Sequence, residues 1–175
     1  MVVRLWLVRH GATDWSDEGR LCGWTDVPLS EKGRGQAKIL RRRLEGQAFD
    51  GVWTSDLSRA SESARLAVGQ AHPDRRLREL DFGELEGRRW RDCDEPTREA
   101  LVRFEGFVAP GGESVRDLEE RVGGFLSERT SGDHLVFTHG GVVRLLTRQQ
   151  GDASILAPGE LTVLEWGRTG AEWLS

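Results

Sequence analysis

Val3-Arg4-Leu5-Trp6-Leu7-Val8-Arg9-His10-Gly11-Ala12-Thr13 is the stretch that decides the fold. Residues 3–8 are apolar apart from one arginine and stop abruptly at Arg-His-Gly, the pattern of a buried strand that ends in a loop. The following loop, Gly11 to Leu29, is rich in Gly, Asp and Pro. Ser30 then caps a predicted helix with Ala37, Leu40 and Leu44 at helical spacing, and Gly46 ends it. Gly51 to Thr54 reads as a second short strand, after which Asp56 is the predicted cap of a helix carrying Leu57, Ala60, Ala64, Ala67 and Val68 on one stripe.

Farther along, residues 92–107 are partly helical with weaker patterning. Ser114 caps a helix with Val115, Leu118, Val122, Phe125 and Leu126 on one face. Leu135-Val136-Phe137 is a third buried strand, leading through Thr138-His139-Gly140-Gly141 into a helix from about Val142 to Gln150. The tail, Leu161 to Trp166 and Glu172 to Leu174, reads as a β-hairpin turning at Gly167 to Gly170.

Strands alternating with helices imply an α/β fold, a three-layer α/β/α arrangement around a mostly parallel sheet, because parallel neighbours need crossover connections. Ligands bind such sheets beyond the carboxyl ends of the strands. His10, Ser55 and His139 each fall just after a predicted strand, so three distant segments are expected to meet at that edge.

A chain of 175 residues fits one domain spanning 1–175, and no repeat or linker divides it. With 31% charged and 37% hydrophobic residues, no membrane-length apolar run and no leader for export, a cytoplasmic protein without membrane partners is expected. The net charge of −4 argues against a nucleic-acid partner, which would call for a basic stripe. Two cysteines, Cys22 and Cys93, suggest idle thiols rather than a disulfide or metal framework. Lys32 and Lys38 are the only lysines among 25 basic residues and asparagine is absent, a bias shared by heat-adapted proteins and by genomes of skewed base composition.

The chemistry-bearing residues gather at the strand ends. At Arg9-His10-Gly11, arginine offers a fork matching phosphate oxygens, neutral imidazole is a nucleophile near neutral pH, and glycine lets backbone N–H groups approach an anion. His139 precedes a helix whose first N–H groups favour an anion. His72 and His134 lie in polar neighbourhoods and read as surface residues. Arg59 in Ser55-Asp56-Leu57-Ser58-Arg59-Ala60 sits in the first turn of a predicted helix, from which it can reach back to the strand ends. The loop Arg78 to Gly87 supplies carboxylates, one of which can serve as acid and then base in ester hydrolysis, but spacing alone does not choose among Glu79, Asp81, Glu84 and Glu86.

Six segments together resemble the histidine phosphatase superfamily, branch 1, which includes the cofactor-dependent phosphoglycerate mutases. They are Leu7 to Thr13, Gly23 to Gly33, Ser55 to Ala60, Glu79 to Gly87, Gly111-Gly112-Glu113-Ser114 and Thr138 to Val142, in the family's order and across nearly the whole chain. The resemblance implies a phosphoglycerate mutase-like fold and a phosphohistidine on His10. It implies that Arg9, Arg59 and His139 hold the phosphoryl oxygens, that Gly140 lies at the phosphate, that Glu79 is acid and base, and that no metal or cofactor is needed. Ser16 stands near the place where the family commonly has a phosphate-binding asparagine, and Gly23 or its neighbours are alternative backbone donors. Trp15, Trp24 and Trp90 are candidates, with Gly23, for shaping a substrate pocket. Ser114 reads as a helix cap rather than a chemical group.

The expected partner is a small phosphorylated metabolite, with the protein a monomer or homodimer. Hydrolysis is favoured over mutase chemistry because the mutases are longer and carry an Arg-His-Tyr-Gly run where this chain, which has no tyrosine, reads Asp81-Phe82-Gly83. Short relatives include α-ribazole-5′-phosphate phosphatase and broad-specificity phosphatases. A silent phospholigand-binding module is the alternative of another class; it would have lost a histidine or the acid, and His10, His139 and Glu79 are all present.

Overall fold

The structure is a computed structural model that describes residues 2–149, 151 and 155–167. Its first strand, β1 (Val2–Arg9), is the apolar run quoted above and lies inside the sheet. It pairs in parallel with β4 (Gly132–Thr138) and antiparallel with β5 (Leu161–Gly167). β4 continues in parallel to β2 (Gly51–Thr54), and β2 to the two-residue β3 (His72–Pro73), giving the order β3-β2-β4-β1-β5.

Side chains alternate across this sheet with the period of two that an extended chain imposes. Val3, Leu5, Leu7 and Val136 face one layer with α5 (Val115–Ser127), α6 (Gly140–Arg148) and Leu101 of α4 (Glu95–Arg103). Val8, Leu135 and Phe137 face the other, with Leu40 and Leu44 of α2 (Glu31–Leu44) and Ala64 and Ala67 of α3 (Ser58–Val68). A sheet covered on both faces is the three-layer α/β/α architecture of the phosphoglycerate mutase-like fold. No described helix is long and apolar enough to cross a membrane.

Several local signals act as read. Ser30 accepts the Gly33 N–H at the start of α2, and Ser114 and Asp117 form a reciprocal capping box on α5. Thr13 and Ser16 do the same for the one-turn α1 (Asp14–Asp17).

Three expectations are corrected. Asp56 does not cap α3: the N-cap is Leu57, without a side-chain bond, and the Asp56 carboxylate is held by both Nε and Nη2 of Arg78 at 2.7 Å. Asp26, brought in by the loop before α2, accepts the Ser58 N–H instead, so a distant carboxylate outcompetes the local one. His134 is buried at 8% exposure, because β4 begins at Gly132 and carries it into the sheet; its ring accepts from Trp53 Nε1 and donates to the Ser131 carbonyl. α6 begins at Gly140, two residues earlier than predicted. β5 pairs with β1, and the turn and second strand of the expected tail hairpin, beyond residue 167, fall outside the described residues.

Candidate active site

The parallel register brings the two histidines together. Arg9 pairs with Thr138 and Thr54 with Phe137, and the ladder runs one residue further through His10 N–H to the Thr138 carbonyl and Ser55 N–H to the Phe137 carbonyl, both at 2.9 Å. Parallel neighbours end on the same edge, so His10, Ser55 and His139 leave the sheet side by side. The His10 and His139 rings meet edge to face with centroids 5.1 Å apart.

Each ring is oriented by one bond. His10 Nδ1 lies 2.7 Å from the Gly11 carbonyl, which only accepts, so Nδ1 carries the proton and Nε2 keeps a free lone pair. His139 Nε2 lies 2.8 Å from Ser55 Oγ, while its Nδ1 is buried without a partner. Burial, then the Arg59 guanidinium, push His10 down to about 3, and the same two causes in the same order hold His139 well below the usual imidazole range. Both rings are therefore neutral at physiological pH.

These depressed values predict acid sensitivity. Between about pH 6.5 and pH 3 the unfolded chain binds a proton at His10 that the folded chain refuses, so stability falls on acidification, by up to about 1.4 kcal/mol per pH unit, and His139 adds a loss of the same sign. Urea unfolding from pH 7 to pH 4.5 checks this: His10→Gln should show a shallower acid loss than wild type, and equal slopes would contradict it.

Arg59, the second residue of α3, is 0% exposed. Its Nη1 donates to the Thr25 carbonyl at 3.0 Å and its Nη2 to the Gly23 carbonyl at 2.6 Å, while Nε has no partner. Arg9 donates from Nη1 to the Leu156 carbonyl at 2.6 Å, again with Nε buried and unpartnered, and its guanidinium lies against Gly140. Neither arginine makes an ion pair among the described residues. Glu79 is buried beside them, its two oxygens accepting the Leu80 N–H at 2.8 Å and the Gly141 N–H at 2.9 Å. A Cβ on Gly141 would run into that carboxylate, so only glycine lets the helix N-terminus come so close.

The structure thus brings together His10, His139, Arg9, Arg59, Glu79 and Gly140, with Glu79 set against the N-terminus of α6. Other expected contributors are employed elsewhere. Ser16 Oγ gives its proton to the Thr13 carbonyl and accepts the Thr13 N–H, leaving none for a phosphoryl oxygen. The loop N–H groups of Gly11 and Ala12 are taken by Ser63 Oγ and Gln36 Oε1; glycine is needed at 11 for backbone contact with Gly33, not for an anion. Gly23 offers Arg59 a carbonyl rather than a donor. Trp24 does adjoin the site: its Nε1 donates to the Glu79 carbonyl at 2.9 Å and Arg78 stacks 4.9 Å over its ring. Trp15 packs against Gly87, and Trp90 lies in a groove with α4 residues Glu99, Val102 and Arg103.

One contributor carries no signal in the sequence, and a second, Ser55, is placed at the sheet edge by the sequence without a role. Arg121, on α5, donates to the carbonyls of Arg76, Arg78 and Glu79 at 2.7–2.8 Å and pairs with Glu113, so the irregular segment bearing Glu79 is tied to a helix. Ser55 orients His139. Arginines on helices are common in this chain, and only the fold singles one out.

A doubly covered, mostly parallel sheet thus carries at its carboxyl edge two neutral histidines, one carboxylate and two arginines that have a buried Nε and, among the described residues, no ion pair. The chain belongs to the histidine phosphatase superfamily (branch 1), whose family model matches residues 5–174, and whose members are phosphatases or mutases. It is 36% identical over 156 residues to an adenosylcobalamin/α-ribazole phosphatase of Salmonella typhimurium, covering 82% of this chain and 77% of that protein. It is 38% identical over 129 residues to a 2,3-bisphosphoglycerate-dependent phosphoglycerate mutase of Beijerinckia indica, covering 66% of this chain and 62% of that one. Among solved structures it superposes on a phosphoglycerate mutase from Thermus thermophilus with a TM-score of 0.88 and 44% identity, covering 94% of each chain.

Proposed function

We propose that this protein hydrolyses small phosphate monoesters through a phosphohistidine on His10, without a metal. The observation that carries this reading is the set of three buried nitrogens without partners, Arg9 Nε, Arg59 Nε and His139 Nδ1, in the site that contains a histidine whose Nε2 lone pair is free. Buried donors are almost always bonded, and unpaired buried cations are costly, so this edge is organised for an anion that supplies the missing acceptors.

In the first step His10 Nε2 attacks phosphorus, the bond from phosphorus to the alcohol oxygen breaks, and Glu79 in its acid form protonates the leaving oxygen. In the second, Glu79 takes a proton from water as the water oxygen attacks phosphorus; the P–N bond breaks and its electron pair returns to Nε2. Ser55 gives its hydroxyl proton to His139 Nε2, so that Nδ1–H donates to a phosphoryl oxygen. Arg9 and Arg59 balance the charge that spreads over the transferring group.

The test is turnover of p-nitrophenyl phosphate in EDTA, with rapid quenching in alkali and intact-mass measurement. Wild type should carry one acid-labile, alkali-stable phosphoryl group, absent from His10→Ala. Turnover with no such adduct under burst conditions, or an adduct in His10→Ala, refutes the mechanism. Relatives named as mutases support a second reading, transfer to another substrate hydroxyl. If 3-phosphoglycerate with 2,3-bisphosphoglycerate isomerises faster than phosphate is released, that reading replaces hydrolysis.

A further inference from the structure

Glu86 lies beyond the residues given a chemical role above, yet both its oxygens are committed. Oε1 accepts the Trp24 N–H at 2.6 Å and Oε2 the Thr25 N–H at 2.7 Å. The same turn presents the Gly23 and Thr25 carbonyls to Arg59. The Gly23 carbonyl and the Trp24 N–H belong to one trans peptide unit and point in opposite directions, so Glu86 and Arg59 grip the two sides of a single amide plane. We propose that Glu86 is a positioning residue for Arg59: its carboxylate locks the 23–25 turn, and the turn's carbonyls fix the guanidinium so that its unpartnered Nε–H faces the phosphoryl site.

Three features support the assignment. The carboxylate is bidentate to consecutive backbone N–H groups, which sets both position and rotation of the turn. A Cβ on Gly23 would collide with the Glu86 carboxylate and the Leu80 carbonyl, so glycine permits the contact. A charged acceptor on the N–H side of an amide strengthens its carbonyl as an acceptor on the other. No carboxylate touches Arg59 directly among the described residues, so its charge stays available to the substrate while its place is set through the backbone.

This inference rests on the proposed role of Arg59 in holding a phosphoryl group, and the experiment separates the two. In Glu86→Ala, kcat/KM for p-nitrophenyl phosphate is expected to fall by about 10–100-fold, the size of an ångström-scale misplacement in an active site. Glu86→Gln, which keeps one acceptor oxygen, should fall between that and wild type. In an Arg59→Met background, Glu86→Ala should cost no more than about two-fold further, since the two substitutions act through one contact. A merely structural Glu86 would instead give a similar loss in both backgrounds, and that result overturns the proposal. So does a Glu86→Ala rate within about two-fold of wild type. If circular dichroism shows Glu86→Ala unfolded, the Gln variant carries the same cycle. Calorimetric affinity for inorganic phosphate should weaken in parallel in Glu86→Ala and Arg59→Met, whatever the chemistry at His10. A wild type lacking a His10 adduct while these affinities still move together would count against the proposed function and leave the positioning role standing.

Discussion

Replacing His10 by alanine is expected to lower kcat/KM for p-nitrophenyl phosphate by on the order of 10⁵-fold, the scale of nucleophile loss in other covalent enzymes. No neighbour can take over. His139, the other imidazole at the site, has its Nε2 tied to Ser55 Oγ, and its pocket holds it neutral to accept or donate rather than to move onto phosphorus. The fold should survive, because at this position β1 is held through the backbone, by the His10 N–H to the Thr138 carbonyl, and the ring itself makes one bond, to the adjacent Gly11 carbonyl. Affinity for inorganic phosphate should persist, since both arginines remain. A variant that keeps more than about one-hundredth of the wild-type rate, a residue far above what positioning alone leaves behind, would remove His10 from the nucleophile role.

The second large effect concerns Arg59. Arg59→Met, which keeps the length and loses the charge, should cost about 10²–10³-fold in kcat/KM, as does loss of a preorganised donor at other oxyanion sites. It carries an electrostatic signature as well. The guanidinium is the second cause, after burial, of the low values at both His10 and His139, so its removal should raise both imidazoles toward the ordinary value near 6.5. Histidine titration by NMR reads this directly. Unmoved His10 and His139 resonances would mean that the cation does not set the field in the pocket. The Gly23 and Thr25 carbonyls lose their donors in this variant, a cost of about 1–3 kcal/mol for each if left unsatisfied, partly offset by relief of an unpaired buried charge. Activity should therefore change far more than stability.

The two effects rest on one arrangement. The buried Arg59 guanidinium, with no carboxylate partner among the described residues, depresses the nearby imidazoles and helps keep His10 neutral, and under the proposed function an anion balances its charge. Inorganic phosphate at concentrations well above its dissociation constant should therefore stabilise the fold by mass action.

Much of this was determined by the sequence alone. Val3 to Val8 and Leu135 to Phe137 announce buried strands through their apolar continuity, and His10 and His139 announce strand ends because each follows such a run directly. Ser30 and Ser114 announce helix starts, since a cap bonds to an N–H three residues on and both partners lie in one short window. Signals of this range need no knowledge of the chain path. What only the tertiary structure decided is every choice among chemically similar groups whose partners are remote: Glu79 rather than Asp81, Glu84 or Glu86 as the acceptor of the Gly141 N–H, because α6 delivers that group to it; Asp26 over Asp56 as the partner of the Ser58 N–H, because Arg78 claims Asp56; and the burial of His134, because β4 starts before it. Ser16 and the Gly11 N–H had the right chemistry for phosphate, and the folded loop spends both on itself. Hydrogen-bonding groups are satisfied by whichever partner the fold brings within about 3 Å, and beyond about four residues of separation that partner is set by topology, not by spacing.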